Sequence, residues 1–76
     1  MPTFDRITSD PAILGGQPLI RGMRLSVRRV LEALALYPNW NDLLAEYPEL
    51  EAEDVRQALA FAARNMNDEI IDLEAA

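Results

Sequence analysis

The chain contains no cysteine and no histidine, and all seven of its basic residues are arginine. Without cysteine, no disulfide or thiolate zinc site can stabilise the fold, and a metal site would have to use carboxylates alone. Nucleophilic catalysis also lacks its usual groups, because the serine and threonine hydroxyls have no base partner at a useful spacing. These hydroxyls belong to Thr3, Thr8, Ser9 and Ser26. We therefore expect no enzyme, no cofactor and no metal.

Long apolar runs are absent too. No stretch approaches the roughly 20 apolar residues of a membrane span, and no basic region followed by an apolar run marks a signal peptide at the N-terminus. We expect a cytoplasmic protein without membrane contact. The 76 residues suffice for one small domain, yet half of them are apolar. Because so small a core is marginal alone, we expect a homodimer.

Charge is distributed unevenly along the chain. Residues 1–30 hold five arginines against two acids, a net of +3, whereas residues 31–76 hold two arginines against eleven acids, a net of −9. A chain with a net charge of −6 does not bind nucleic acid through its overall charge. Any DNA contact would therefore depend on the basic N-terminal region.

The N-terminal region predicts a short β-hairpin. The apolar pairs Ile13–Leu14 and Leu19–Ile20 flank a Gly-Gly turn, and residues 4–8 are a further candidate strand. Gly15 and Gly16 are not a phosphate-binding loop, since the Gly-Lys-Ser/Thr ending is missing. The residues assigned to the hairpin and its turns are Gly15, Gly16, Pro18 and Gly22.

Three helices follow. Ser26 is the predicted N-cap of the first and Asn39 of the second; Pro38 and Pro48 end them, and the third begins near Glu51. Apolar residues recur at helical spacing on one face of each helix. The predicted core positions are Val27, Val30, Leu31 and Leu34; then Trp40, Leu43, Leu44 and Tyr47; then Val55, Ala58, Leu59 and Ala62. For Trp40 and Tyr47, contact with a partner is the alternative.

These elements predict a single, mostly α domain in which a short N-terminal β-hairpin precedes a three-helix bundle. The expected parts are a hairpin arm over residues 1–25, a tri-helical unit over 26–65, and an acidic tail or helix extension over 66–76. Short connections require the helices to pack compactly. The plan is that of a winged or homeodomain-like helix-turn-helix module.

Two motifs carry a family resemblance. They are Gly-x-Pro-x-x-Arg-Gly-x-Arg beginning at Gly16 and Tyr-Pro-x-Leu beginning at Tyr47; Asp10–Pro11 and residues 53–59 add to them. Over about residues 7–63 the chain resembles domain-of-unknown-function family 433. Glu51 departs from the family pattern, which has Ser or Thr there. The acidic start of the third helix repels phosphate and disfavours DNA reading by that end.

The resemblance implies a homeodomain-like fold and an antitoxin of a type II toxin–antitoxin system, similar to VapB-type antitoxins. The implied partners are a second copy of the chain, a PIN-like ribonuclease toxin and the operator DNA of the antitoxin's own operon. The alternative is a stand-alone dimeric helix-turn-helix transcription regulator. A small dimeric scaffold with neither activity is a third possibility.

The arginines are the candidate toxin- or DNA-binding residues: Arg21, Arg24, Arg28, Arg29 and Arg56. Arg28 and Arg29 lie in the first helical turn, where the helix dipole disfavours cations. Three interpretations stay open: salt bridges to acids of this chain or its dimer partner, contact with DNA phosphate, and insertion into the carboxylate-rich active site of a nuclease.

The C-terminal tail alternates acids with bulky apolar residues. It either extends the third helix, frays in solvent, or orders in a groove of the toxin. The residues proposed for toxin contact are Met66, Ile70, Ile71 and Leu73.

Overall fold

The computed structural model describes residues 4–66, which form a short antiparallel hairpin followed by three helices. This confirms the predicted fold class. The strands are β1 (Ile7–Thr8) and β2 (Leu19–Ile20), and the helices are α1 (Val27–Leu36), α2 (Trp40–Glu46) and α3 (Ala52–Arg64). No helix within this part of the chain has the length and apolar character needed to cross a membrane.

The hairpin forms from different strands than the sequence predicts. Ile7 pairs with Ile20 and Thr8 with Leu19, so β1 lies in the candidate strand at residues 4–8. The predicted strand at Ile13–Leu14 is wrong, because Leu14–Gly16 forms a short 3₁₀ turn instead. Its three residues all have positive φ, which is incompatible with an extended strand.

Two non-glycine residues have left-handed backbone conformations. Leu14 has a φ of 49° and Arg21 a φ of 46°. Such a conformation costs an L-residue about 1–2 kcal/mol. Tertiary contacts offset the cost at Arg21, whose N–H donates to the Arg6 carbonyl at 2.8 Å. Leu14 is exposed and lies outside the core, and its conformation belongs to a local turn in which Gly16 N donates to the Ile13 carbonyl at 3.0 Å.

The helix ends follow the local signals in the sequence. Ser26 Oγ accepts a hydrogen bond from Arg29 N at 3.0 Å, and Asn39 Oδ1 accepts one from Asn41 N at 2.8 Å. Both N-cap predictions are thereby confirmed. The first two helices end at Leu36 and Glu46. Their C-caps, Tyr37 and Tyr47, are non-helical because each directly precedes a proline, whose ring excludes helical geometry from the preceding residue.

The core lies between the hairpin and the three helices. It has two contiguous clusters of buried apolar side chains: Ile20, Val27, Val30, Leu50 and Ala58 in one, and Ala33, Leu43 and Val55 in the other. Most predicted apolar faces point inward, but Trp40 and Leu59 are 37% and 41% exposed, so their core assignment is wrong. On α3 the positions facing inward include Asp54 and Gln57, because the polar backbone and side chains of residues 5–6 pack against that helix.

Candidate partner-binding surface

A buried carboxylate organises the N-terminal half of the molecule. Asp54 lies in the first turn of α3 and its side chain is completely buried. It accepts hydrogen bonds from Arg21 Nε at 3.0 Å, from Arg6 Nη1 at 3.1 Å and from the Glu51 N–H at 2.8 Å. Arg21 Nη2 contacts the second carboxylate oxygen at 2.9 Å and donates to the Glu49 carbonyl at 2.7 Å. A buried charge paired in this way leaves no polar atom unsatisfied.

The electrostatics of this carboxylate follow from its donors. Burial acts to raise the pKa of Asp54, but the hydrogen bonds from Arg21, the Glu51 N–H and Arg6 outweigh burial and hold the pKa below its ordinary value. The hydrogen bond to Asp54 correspondingly raises the pKa of Arg21. Asp54 is thus a permanently charged anchor for two arginines under physiological conditions.

Gln57 extends this network to the N-terminal residues. Its Nε2 donates to Asp5 Oδ1 at 2.7 Å and to Glu53 Oε2 at 2.8 Å, and its Oε1 accepts from Arg6 N at 3.0 Å. Two of the three hydrogen bonds of this buried amide therefore join residues 5–6 to α3, and the third binds Glu53 of the same helix.

Arg21, which the sequence offered as a binding residue, is engaged within the chain. The salt-bridge interpretation applies to it, and we leave it out of the candidate surface. Arg56 also has an internal partner, because its Nε donates to Glu53 Oε1 at 2.8 Å. Hydrogen bonds lower the pKa of Glu53 from 4.5 to about 2, and the one from Arg56 has a larger effect than the one from Gln57. Arg56 is nevertheless exposed to solvent.

The remaining arginines form what we call the α1 arginine group: Arg24, Arg28 and Arg29, all exposed around the start of α1. Arg28 Nε lies 3.9 Å from Glu32 Oε2, and Arg29 Nη1 lies 3.8 Å from Glu32 Oε1. One carboxylate is shared at long distance by two guanidinium groups, whose side chains are 83% and 54% exposed. Within residues 4–66, Arg24 forms no ion pair.

The other predicted site residues occupy simpler positions. Gly15, Gly16 and Gly22 have φ of 69°, 84° and 70°, the left-handed values that turns require. Pro18 begins the approach to β2, where its carbonyl accepts from Val27 N at 2.9 Å. Met66 is exposed just beyond the end of α3. The tail positions Ile70, Ile71 and Leu73 lie outside the described residues.

Sequence reasoning missed Arg6, Asp54 and Gln57 as the polar centre of the fold. A signal was present, since positions 54, 57, 58 and 61 follow the spacing of one helical face. That face combines two polar residues with Ala58 and Phe61, so an apolar stripe alone did not indicate it. Among residues 4–66, no three acidic side chains come together as a metal site would require.

Residues 7–62 match the family described as "Protein of unknown function (DUF433)". The chain belongs to this family. The match confirms the resemblance carried by the Gly16 and Tyr47 motifs. In this DUF433 chain, Arg21 of the first motif and Asp54, which follows the second motif, form an ion pair in which the carboxylate is buried and the guanidinium group is partly exposed.

A curated relative of this DUF433 chain is "Uncharacterized protein y4eO" from Sinorhizobium fredii (strain NBRC 101917 / NGR234). The two are 39% identical over 59 residues, which are 78% of this chain and 27% of the relative. The chain thus spans about a quarter of the relative's length. No solved structure matches the chain.

Proposed function

We propose that this DUF433 protein is a cytoplasmic antitoxin that neutralises a PIN-like ribonuclease by presenting its α1 arginine group to the acidic active site of the toxin. The observation that carries the proposal is the division among the arginines. Arg6 and Arg21 are bound to Asp54, whereas Arg28 and Arg29 extend into solvent and share one distant carboxylate.

The chemistry of these side chains supports such a partner. A guanidinium group forms two parallel hydrogen bonds to a carboxylate, and it keeps its charge under all physiological conditions. The first turn of α1 contains no acidic residue. Arg28 and Arg29 therefore repel each other, and the positive end of the helix dipole repels both of them. An external carboxylate relieves this repulsion. Enclosed in an active site, such pairs are much stronger than the exposed contacts to Glu32.

DNA phosphate competes for the same arginines, and a transcription regulator is the alternative function. The structure gives it less support because the start of α3, the expected recognition helix, carries Glu51 and Glu53, whose side chains are 62% and 40% exposed. These carboxylates repel the phosphate backbone. Operator binding by this chain would therefore have to use the α1 arginine group instead of α3.

The proposal includes a homodimer. Apolar side chains remain exposed at Leu36, Leu59 and Met66. Exposed apolar area of this kind gains free energy when a second chain covers it. A small domain with a limited core gains the most from such coverage.

The decisive experiment is a tagged pull-down of the full chain from its native host, with bound proteins identified by mass spectrometry. We expect a small nuclease in stoichiometric amount. The double substitution Arg28→Glu and Arg29→Glu should reduce its capture at least roughly tenfold, since each lost charged hydrogen bond contributes about 1.5–3 kcal/mol. The unfolding midpoint of this variant should match that of the native chain.

Arg56→Gln serves as the matched control, because Arg56 is exposed but bound to Glu53, and it should leave capture unchanged. Equal capture by the native chain and the double variant would contradict a role for the α1 arginine group. Recovery of DNA without a nuclease, in a strongly salt-dependent manner, would favour the regulator.

A further inference from the structure

The solvent-facing side of α1 continues beyond its two arginines. The exposed residues of this helix are Arg28, Arg29, Glu32, Ala35 and Leu36. Helical residues three, four, seven or eight positions apart lie on one side, so these residues share a single face. We call it the outer face of α1. It carries positive charge in its first turn and ends in an apolar side chain.

Leu36 is far more exposed than the other leucines of α1. It is 71% exposed, whereas Leu31 and Leu34 pack against the core. Trp40 begins α2 after only three connecting residues and is itself 37% exposed. Both side chains gain free energy when a partner covers them, and tryptophan is enriched among the residues that dominate binding at protein interfaces. Leu36 and Trp40 therefore form an apolar end to the outer face.

The size of a protein interface connects this apolar end with the arginines. A helix rises 1.5 Å per residue, so Leu36 lies roughly 10–12 Å along α1 from Arg28 and Arg29. A stable interface buries roughly 800 Å² on each partner, and a patch of that area is about 30 Å wide. A protein that binds the two arginines therefore covers Leu36 as well.

Charge determines what kind of partner fits the outer face. The α1 arginine group outnumbers Glu32, so two copies of the chain that met through this face would bring two positively charged surfaces together. An acidic protein surface complements the same face. Among the large apolar side chains exposed within residues 4–66, only Leu36 lies on α1. Leu59 of α3 and Met66 beyond it stay available to the homodimer.

We propose that the outer face of α1 is one continuous docking surface, on which Leu36 and Trp40 enter an apolar depression beside the carboxylates that bind Arg28 and Arg29. This inference rests on the proposed function and adds its apolar contact. The depression lies roughly 10–12 Å from the carboxylates, as the helix rise requires. An acidic nuclease without such a depression binds weakly, so the apolar end sets which nuclease the chain recognises.

Leu36→Ala tests the apolar contact directly. The nuclease recovered with the full chain is purified and titrated with each variant by calorimetry. Leu36→Ala should weaken binding roughly tenfold, as expected when the buried part of one leucine side chain is removed. The loss should persist in about 1 M sodium chloride, which screens charges but not apolar contacts. The urea midpoint should stay unchanged, because Leu36 is exposed and alanine is a good helix former.

Leu14→Ala is the matched control. It makes the same chemical change at a leucine that is 37% exposed and lies outside α1 and outside both core clusters. The affinity of this variant for the nuclease should equal that of the native chain. Equal losses from the two substitutions would overturn the proposal, because they would show no special role for the outer face.

Trp40 reports on the same surface because it is the only tryptophan of the chain. A chain labelled with 5-fluorotryptophan has its single fluorine at this position. Unlabelled nuclease should shift the ¹⁹F signal, and the shift should saturate at the same molar ratio as the calorimetric titration. Concentrating the labelled chain alone should leave the signal in place. A shift on concentration alone would overturn the proposal, since the face would then join two copies.

The remaining outcomes separate this inference from the proposed function. A nuclease that binds the native chain and Leu36→Ala equally well, without moving the Trp40 signal, would overturn the docking surface and leave the antitoxin intact. Recovery of no nuclease by the native chain would overturn both.

Discussion

The surroundings of Asp54 and the start of α1 both contain clustered arginines, yet they use them in opposite ways. Arg6 and Arg21 converge on a single buried carboxylate, whereas Arg28 and Arg29 lie in solvent with one distant acid between them. The difference shows that arginines close in sequence need not share a role. Their roles depend on whether the fold brings a buried acid within reach, because a buried charge is costly to leave unpaired, whereas an exposed ion pair contributes little to stability.

Among the variants that test this comparison, Asp54→Ala is expected to lose the most stability. Loss of the buried carboxylate removes the common partner of Arg6, Arg21 and the Glu51 N–H, and should cost about 3 kcal/mol of unfolding free energy, measured by urea denaturation. Asp54→Asn is the matched variant. It keeps an acceptor for the Glu51 N–H and should lose less. Equal stability of the alanine variant and the native chain would mean that the buried network does not stabilise the fold.

Arg21→Gln and Arg24→Gln sharpen the comparison with the same chemical change three positions apart. Arg21→Gln should lower the urea midpoint clearly, though less than Asp54→Ala, because Arg6 and the Glu51 N–H still bind the carboxylate. Arg24→Gln should leave the midpoint unchanged. Two similar midpoints would contradict the division of the arginines into bound and exposed groups.

Gln57→Ala is expected to weaken the attachment of the N-terminal arm, here residues 4–8, to α3. The substitution leaves the Arg6 N–H and Asp5 without their partner on α3 and should cost about 1–2 kcal/mol in the same unfolding experiment. The exposed Gln17 provides the control, and Gln17→Ala should change stability by less than about 0.5 kcal/mol. A Gln57→Ala variant that behaves like the control would show that ring packing and strand pairing alone hold the arm.

The smallest change in unfolding free energy is expected from a change in pH. Asp54 and Glu53 have lower pKa values in the folded chain than in the unfolded one, from ordinary values of 3.8 and 4.5, with Glu53 at about 2. Their contribution to stability is therefore complete above the ordinary values and is lost as the pH falls toward 2, since the unfolded chain binds protons first. Urea denaturation at successive pH values should show this decline, and Asp54→Asn should make it shallower. An equally steep decline in that variant would contradict the lowered pKa of Asp54.

Much of the helical part of the fold could be predicted because its signals are local. Ser26 and Asn39 cap helices with their own side chains, and Pro38 and Pro48 end helices by steric exclusion. Such effects act within one or two turns and need no knowledge of distant residues.

The hairpin was predicted with the wrong partner for β2. Ile13–Leu14 and Ile7–Thr8 are both short and apolar enough to pair with Leu19–Ile20, and the Gly-Gly turn favoured the nearer pair. The structure selects the more distant pair, because that pairing also allows Asp5 and Arg6 to reach Gln57 and Asp54. The residues of the turn alone could not reveal these additional contacts with α3.

The sequence by itself determined the family, the three helices and their ends, and the excess of arginine in the first thirty residues. Only the tertiary structure decided which arginines are bound, which strand pairs with β2 and which face of α3 is buried. Those outcomes depend on contacts between residues far apart in the sequence, such as that of Asp5 with Gln57 and that of Phe4 with Phe61. The strength of an ion pair or hydrogen bond is set by how far the fold removes it from water, and that is a property of the packed chain instead of any local segment.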